Sequence, residues 1–156
     1  MKIERTKDVV VINKILNDTD IFDSISEDGC KKGDFKPEVN NEIWVKIEQG
    51  NDLIGVCNFH VINKITIQGH IHILKKYRRE HSLRAAKNIY EWLLNNSKFS
   101  KLNVEIPSCH TNVMKYCKAI GFNLEGINRL SYLKNDEILD QAMLGITRSE
   151  IEEFLK

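Results

Sequence analysis

Two histidines stand two residues apart and alternate with isoleucines. His70 and His72 alternate with Ile71 and Ile73, so a β-strand would place both imidazole rings on one face. Because the ordinary pKa of imidazole is about 6.5, either ring suits proton transfer at neutral pH. Glu105, in a later apolar stretch, is the other candidate general base. The alternative interpretation is that all three are partly exposed side chains on a polar sheet face.

A run of basic residues follows His72 and ends where a helical pattern begins. These basic residues are Lys75, Lys76, Arg78, Arg79, Arg84 and Lys87. A strand that passes through a loop into a helix presents unpaired backbone amides and the positive end of the helix dipole at one point. We expect a pyrophosphate to bind there, on a loop from Lys75 to a helix that begins near Ser82. The alternative interpretation of the basic run is a solvated turn.

Changes in the hydrophobic period divide the chain into helices and strands that must position these residues. In order, the predicted elements are a strand over 2–5, helices over 8–16 and within 18–28, a loop over 29–41, three antiparallel strands between 42 and 77, a helix over 83–94, a strand over 102–107, a helix over 112–120, two strands that meet at 135–136 and a short helix from 148. Thr6 or Asp8 is the expected cap of the first helix, and Thr111 that of the helix before Gly121.

Length and composition predict one domain over residues 1–156. Charged residues make up 29% of the chain but leave a formal charge of +1, which argues against a general attraction to nucleic acid or to membranes. The four cysteines form no CxxC pair, which favours reduced thiols in the cytoplasm and no metal site. No run of about 20 apolar residues is present, so a membrane span is not expected.

Three stretches make this order of elements resemble the GNAT superfamily of N-acetyltransferases. Residues 73–78, ILKKYR, resemble the family's pattern of apolar, any, Pro, any, Tyr, Arg, with Arg78 at the arginine position. The strand LNVEIP and the helix that ends in IGF at 120–122 resemble the family's penultimate elements, and 121–140 resembles its closing hairpin. The resemblance implies an α/β (α+β) fold with a mixed, mostly antiparallel central sheet flanked by helices. The pattern is also similar to small GNAT-like proteins of bacteriophages.

The resemblance implies acetyl-coenzyme A as co-substrate and a primary amine, on a small molecule or a protein, as acceptor. The pantetheine arm would lie between the splayed strands 66–74 and 102–106, where a backbone amide near Ile73 or Leu74 would polarise the thioester carbonyl. The residues implied in binding the co-substrate are Ile73, Leu74, Lys75, Lys76, Arg78, Arg79, Glu80, His81 and Ser82.

The chain departs from the family's motifs at two places. Aligned on Arg78, the small residues of the phosphate loop become His81 and Leu83; aligned one residue later, they become Ser82 and Arg84. Without glycine, phosphate binding would depend more on lysine and arginine side chains.

The second departure concerns the acid that protonates the leaving thiolate. Cys117 occupies the position of the family's tyrosine, and Tyr116 is adjacent, about 100° away around the helix. Either is a candidate acid, whereas a buried core cysteine is the ordinary alternative for Cys117.

Two other functions stay open at this level. The missing glycines and the displaced tyrosine favour a GNAT-fold protein that has lost catalysis and serves in binding or in phage assembly. A basic stretch over 75–84 could instead contact a nucleic-acid backbone, although the nearly neutral chain argues against it. The acidic residues within 18–28 would favour a cationic acceptor if they border its cleft, and a homo-oligomer is compatible with the sequence.

Overall fold

The computed structural model describes all 156 residues and contains seven strands and five helices. In chain order these are β1 (Lys2–Arg5), α1 (Val9–Leu16), α2 (Thr19–Ile25), β2 (Ile43–Gln49), β3 (Asp52–Val61), β4 (Thr66–Ile73), α3 (Lys75–Asn96), β5 (Lys101–Pro107), α4 (Thr111–Ala119), β6 (Asn123–Lys134), β7 (Glu137–Thr147) and α5 (Arg148–Phe154). No helix combines the length and the apolar character that crossing a bilayer requires.

All seven strands form one sheet in the order β1-β2-β3-β4-β5-β7-β6. Only β4 and β5 run parallel, because the helix α3 crosses over between them, and every other neighbouring pair is antiparallel. The expected class, a mixed and mostly antiparallel sheet flanked by helices, is therefore confirmed. The short strand β1 and the long strand β6 are the two edges of the sheet.

Each face of the sheet carries its own apolar core. The larger core joins the sheet to α3, α4 and α5, and Phe59, Ile67 and Leu102 lie in it beside Tyr90 of α3. The smaller core joins the first half of the sheet to α1 and α2 through residues such as Trp44. Since side chains alternate along a strand, β4 sends its isoleucines toward the larger core and its histidines toward the face that carries α1 and α2.

Helix caps and turns follow the sequence expectation with one exception. Asp8 caps α1, since its Oδ1 accepts hydrogen bonds from the amides of the second and third helical residues. Gly121 ends α4 at φ 98°, as expected, and Asn135 and Asp136 form the left-handed turn of the β6–β7 hairpin. The predicted cap Thr111 is wrong: it is the first residue of α4, and the cap position holds His110, which makes no side-chain capping bond.

Gly55 of β3 provides a test of this packing. A Cβ at this position would overlap the carbonyl oxygen of His72 on β4, whereas a Cβ at Gly126 of β6 would meet no atom within 4 Å. We expect Gly55→Ala to lower the free energy of unfolding by about 1–3 kcal/mol, the usual effect of overpacking, measured by chemical denaturation. Gly126→Ala is the matched control, and equal stabilities of the two variants would contradict the tight contact between β3 and β4.

Candidate functional site

The parallel strands β4 and β5 pair over only three residues. Their register runs from Thr66 opposite Lys101 to Gln68 opposite Asn103, and no pairing continues beyond it. From Gly69 onward β4 stays hydrogen-bonded to β3, while β5 stays paired with β7 on its other side. The second halves of the two strands therefore leave a V-shaped gap in the middle of the sheet, which we call the β4–β5 cleft.

The backbone of Ile73 faces this cleft. The amide of Leu74 donates to the carbonyl oxygen of Ile54 on β3 at 2.9 Å. Because successive residues of a strand point their backbone groups to opposite sides, the N–H and C=O of Ile73 point away from β3 and toward the cleft. Of the two candidate amides for polarising a bound carbonyl, that of Leu74 is thus engaged within the sheet and that of Ile73 is directed into the cleft.

The loop expected between β4 and α3 does not exist, so the predicted helix start near Ser82 is wrong. The helix begins at Lys75, immediately after Leu74, and runs unbroken to Asn96. The reason is local: the segment KKYRREHSL contains neither glycine nor proline and consists mainly of residues that tolerate a helix well. Only the first-turn amides, such as those of Lys75 and Lys76, remain without an intrahelical partner.

Three side chains of the basic run already have partners within the chain. The Lys75 ammonium contacts Asp20 of α2 at 3.0 Å, and the Nζ of Lys76 lies 4.7 Å from the centre of the Tyr77 ring. The Nε of Arg78 donates to the carbonyl oxygen of Ile73 at 2.8 Å. Arg79 is exposed and makes no hydrogen bond or ion pair through its side chain within the chain.

The other residues implied in co-substrate binding lie along the same first turns of α3. Glu80 is exposed and its carboxylate lies 3.8 Å from His81, whose own side chain is mostly covered. Ser82 is partly buried and its carbonyl oxygen accepts a hydrogen bond from α4. The structure therefore brings the basic side chains and the strand end together, although it arranges them on a helix instead of a loop.

Tyr116 of α4 reaches across to α3. Its hydroxyl donates to the carbonyl oxygen of Ser82 at 2.8 Å, and burial raises the pKa of this hydroxyl far above the usual range of tyrosine. The neighbouring Cys117 points into the larger core and is 6% exposed, and burial raises the pKa of its thiol to about 11. Of the two candidate acids, Tyr116 lies between the helices that flank the cleft and Cys117 is a core residue.

The candidate bases share one face of the sheet, as their alternation predicted. His70 pairs across the ladder with Asn58, and His72 pairs with Val56, which belongs to the smaller core. The β4–β5 register places Glu105 on the same face as His70, where it is partly exposed and its carboxylate accepts no hydrogen bond within the chain. The three side chains thus share the sheet face that carries α1 and α2, with His72 next to the smaller core and Glu105 partly exposed.

The two histidines differ in their affinity for a proton. Burial, together with His70 and Arg78, lowers the pKa of His72 to about 3. Burial and the nearby His60 also lower the pKa of His70. Both rings are consequently neutral at physiological pH, and His72 is the weaker base of the pair.

A hydrogen-bonded clamp holds the loop after α2 against the β6–β7 hairpin. The carboxylate of Asp28 accepts from the amides of Asn135 and Asp136 at 3.0 and 2.7 Å, which lowers the pKa of that carboxyl group. Lys134 Nζ and the Tyr132 hydroxyl both donate to the carbonyl oxygen of Ser26. Sequence reasoning missed this contact, because the segments are about a hundred residues apart and only the turn at Asn135 signalled one side of it.

The acidic residues of α2 are partly neutralised where they border this region. Asp20 pairs with Lys75, and Asp23 lies 3.8 Å from Lys134. No group of three or more histidine, cysteine, aspartate or glutamate side chains is arranged to hold a metal ion.

This architecture matches solved structures that include N-acetyltransferases. The spermidine N-acetyltransferase from Vibrio cholerae in complex with CoA and spermine superimposes with a TM-score of 0.79 over 97% of each chain, at 15% sequence identity. The protein smu.2055 from Streptococcus mutans UA159 gives a TM-score of 0.75 over 95% of this chain and 99% of that one, at 15% identity. The fold is therefore the GNAT fold, as the sequence resemblance predicted.

The chain belongs to the DUF2824 family, described as a protein of unknown function, whose family model matches residues 3–156. It is also similar to the putative protein p31 of Acyrthosiphon pisum secondary endosymbiont phage 1, with 21% identity over 112 residues, or 72% of each chain. The expected similarity to a phage-encoded protein is thus found at low identity.

The buried imidazole of His72 predicts a specific pH dependence of stability. The unfolded chain binds a proton at His72 below about pH 6.5, whereas the folded chain binds none until about pH 3. The free energy of unfolding should therefore fall as the pH drops through this window, with His72 contributing about 2 kcal/mol of the loss between pH 6.5 and 5.

Comparison with His72→Gln isolates this contribution, because the carboxylates titrate in both proteins. Denaturation at several pH values should show that the free energy of unfolding falls less in the variant as the pH drops. In NMR spectra of the wild type, the ring protons of His72 should not titrate above pH 4. A ring that titrates near its ordinary pKa would contradict the buried, neutral state.

Proposed function

We propose that the chain is an acetyl-coenzyme A-dependent N-acetyltransferase that acts on primary amines. The observation that carries the proposal is the β4–β5 cleft, in which the backbone amide of Ile73 lies next to the N-terminus of α3. An extended thioester chain needs peptide groups to pair with, and its phosphates need a positive pole. Both are found at the same end of β4.

The cleft would hold the pantetheine arm along the unpaired edge of β4 beyond Gln68. This edge fits an amide-containing chain, because backbone N–H and C=O groups that face away from β3 need hydrogen-bond partners. The Ile73 N–H would then donate to the thioester carbonyl oxygen as negative charge develops there. Arg78 satisfies the Ile73 carbonyl and so leaves the N–H of that residue as the free group.

The phosphates would bind at the start of α3, and they would be held more by side chains than by backbone amides of a loop. The first-turn amides and the helix dipole supply a positive pole, and the exposed Arg79 and Lys76 supply charge. Lys75 contributes less while it is paired with Asp20. This arrangement departs from a glycine-rich loop, so we expect the phosphates to lie farther from the backbone.

Two proton transfers complete the proposed reaction. The acceptor amine must lose a proton before or during attack, and Glu105 and His70 lie on the polar face where it would enter. The departing thiolate must gain one, and Tyr116 carries a hydroxyl proton at neutral pH. Its bond to Ser82 directs that hydroxyl toward α3, the helix that would bind the co-substrate.

The acceptor is proposed to be cationic. The polar sheet face is bordered by the acidic helix α2 and by the clamp of Asp28, and a protonated amine is attracted to such a border. Polyamines are a sensible first class to test, because a neighbour of the same fold is described in complex with spermine.

A second candidate function is a non-catalytic GNAT-fold binding protein, and two observations favour it. The Tyr116 hydroxyl is already engaged by the Ser82 carbonyl oxygen, and α3 begins directly after β4 without a glycine-containing phosphate loop. The similarity to a phage protein fits a role in assembly. Binding of acetyl-coenzyme A, followed by turnover, separates the two candidates in that order.

Isothermal titration with acetyl-coenzyme A tests the first step. We expect binding in the micromolar range, and a loss of at least about tenfold in affinity for Arg79→Glu, because the variant places a negative charge beside the phosphates. Lys98→Glu is the matched control, since this exposed lysine lies just beyond the other end of α3. The absence of a heat signal at millimolar acetyl-coenzyme A would contradict the proposal.

Tyr116→Phe tests the assigned proton donor. Removal of the hydroxyl should lower kcat for acetyl transfer to spermidine or to lysine peptides by about 100-fold or more, with KM for acetyl-coenzyme A nearly unchanged. Release of the free thiol provides the readout. Cys117→Ser serves as the comparison and should keep kcat within about threefold, because Cys117 points into the core. Equal kcat values for wild type and Tyr116→Phe would assign the acid elsewhere.

A further inference from the structure

The edge strand β6 carries apolar residues with an unusual period. Leu124, Ile127, Leu130 and Leu133 recur at every third position, whereas an ordinary strand that is apolar on one face repeats every second. All four are exposed, with between 41% and 72% of their surface accessible. An apolar pattern that neither fits a regular strand nor serves the core of this chain needs another explanation.

Two bulges in β6 bring side chains that recur at every third position to the same face of the sheet. The register against β7 shifts between Leu124 and Gly126 and again between Asn128 and Tyr132. As a result Leu124 lies opposite Leu144, Ile127 opposite Ala142 and Leu133 opposite Ile138. Because those β7 residues alternate regularly, the three β6 side chains share the sheet face that carries α3, α4 and α5.

The second bulge holds a leucine in a backbone conformation that branched side chains avoid. Leu130 has φ 52° and is 72% exposed, and its amide donates to Oδ1 of Asp140 at 2.8 Å. Ser131 Oγ bonds the Asn128 carbonyl and the Gln141 side chain, which fixes the bulge further. The chain therefore uses several hydrogen bonds to present a leucine to solvent.

Together Leu124, Ile127, Leu130, Leu133 and Ile138 form what we call the β6 patch, which lies at the free edge of the sheet. Exposed apolar patches of this kind are typical of protein contacts. The bulges interrupt the row of backbone groups that a new strand would pair with, so a partner would contact the side chains of the patch and not extend the sheet.

The charges around the β6 patch have opposite signs at its two ends. Lys115 and Lys118 of α4 are exposed next to the Leu124 end, since α4 passes through Gly121 into β6. Asp136 and Glu137 are exposed at the Leu133 end, at the hairpin tip. None of these four side chains forms an ion pair within the chain.

We infer that the β6 patch is the interface of a two-fold symmetric homodimer. A two-fold axis through the middle of β6 places the basic end of one copy against the acidic end of the other, twice, and covers both sets of leucines. The patch is thus complementary to itself in charge and in hydrophobicity. A strand of 12 residues extends for about 40 Å, which is long enough for an interface of standard size.

Sedimentation velocity of the full chain at about 1–100 μM tests this inference. Wild type should be dimeric, and Ile127→Glu should raise the dimer Kd by at least about tenfold, because it buries a charge at the centre of the patch. Ile65→Glu is the matched control: Ile65 is 58% exposed against 51% for Ile127, but lies in the β3–β4 turn. Circular dichroism of each variant checks that the fold is retained.

Charge reversal tests the proposed two-fold arrangement itself. Lys118→Glu and Glu137→Lys should each weaken the dimer severalfold, and the double variant should restore it, because the opposite charges face each other again. A monomeric wild type at 100 μM would overturn the inference and leave the patch to a different protein. A dimer that tolerates Ile127→Glu, or a double variant no better than its parents, would overturn it as well.

Discussion

The separation of β4 from β5 is the constraint on which the candidate site depends. A strand in the middle of a sheet normally satisfies its backbone on both sides, and β4 does so only up to Gln68. Beyond that residue its groups on one side must find other partners. Arg78 supplies one for the carbonyl of Ile73, whereas the amide of that residue points into the cleft. The opening of the sheet thus creates both a space and a need for hydrogen bonds within it.

The start of α3 sets the character of the site more than any single side chain does. A glycine-rich loop would offer several backbone amides to a phosphate, whereas a helix that begins directly at Lys75 offers only those of its first turn. The same helix projects arginine and lysine side chains around its own N-terminus. Recognition of an anion would then depend on flexible, hydrated groups, which hold a ligand less rigidly than a backbone nest does.

Most of the fold followed from hydrophobic periodicity, because alternating strands and amphipathic helices leave a local signal. The alternation of His70 and His72 with isoleucines correctly predicted a shared face, and Gly121 correctly marked the end of α4. The direct start of α3 at Lys75 departs from the family's loop, because residues 75–82 lack glycine and proline and favour a helix. The proton affinity of His72 could not be read from sequence either, because it depends on burial by distant elements.

The clamp between Asp28 and the hairpin turn has a thermodynamic consequence for regulation. One end of this contact belongs to the loop beside the polar face, and the other belongs to the hairpin that bears the β6 patch. If an acceptor orders the loop and a neighbouring copy orders the hairpin, the two binding equilibria share one conformational cost. Linkage then requires reciprocity. If self-association raises the affinity for the acceptor by some factor, binding of the acceptor raises the affinity between the two copies by the same factor. The proposed acceptor binding would in this way depend on the concentration of the protein itself.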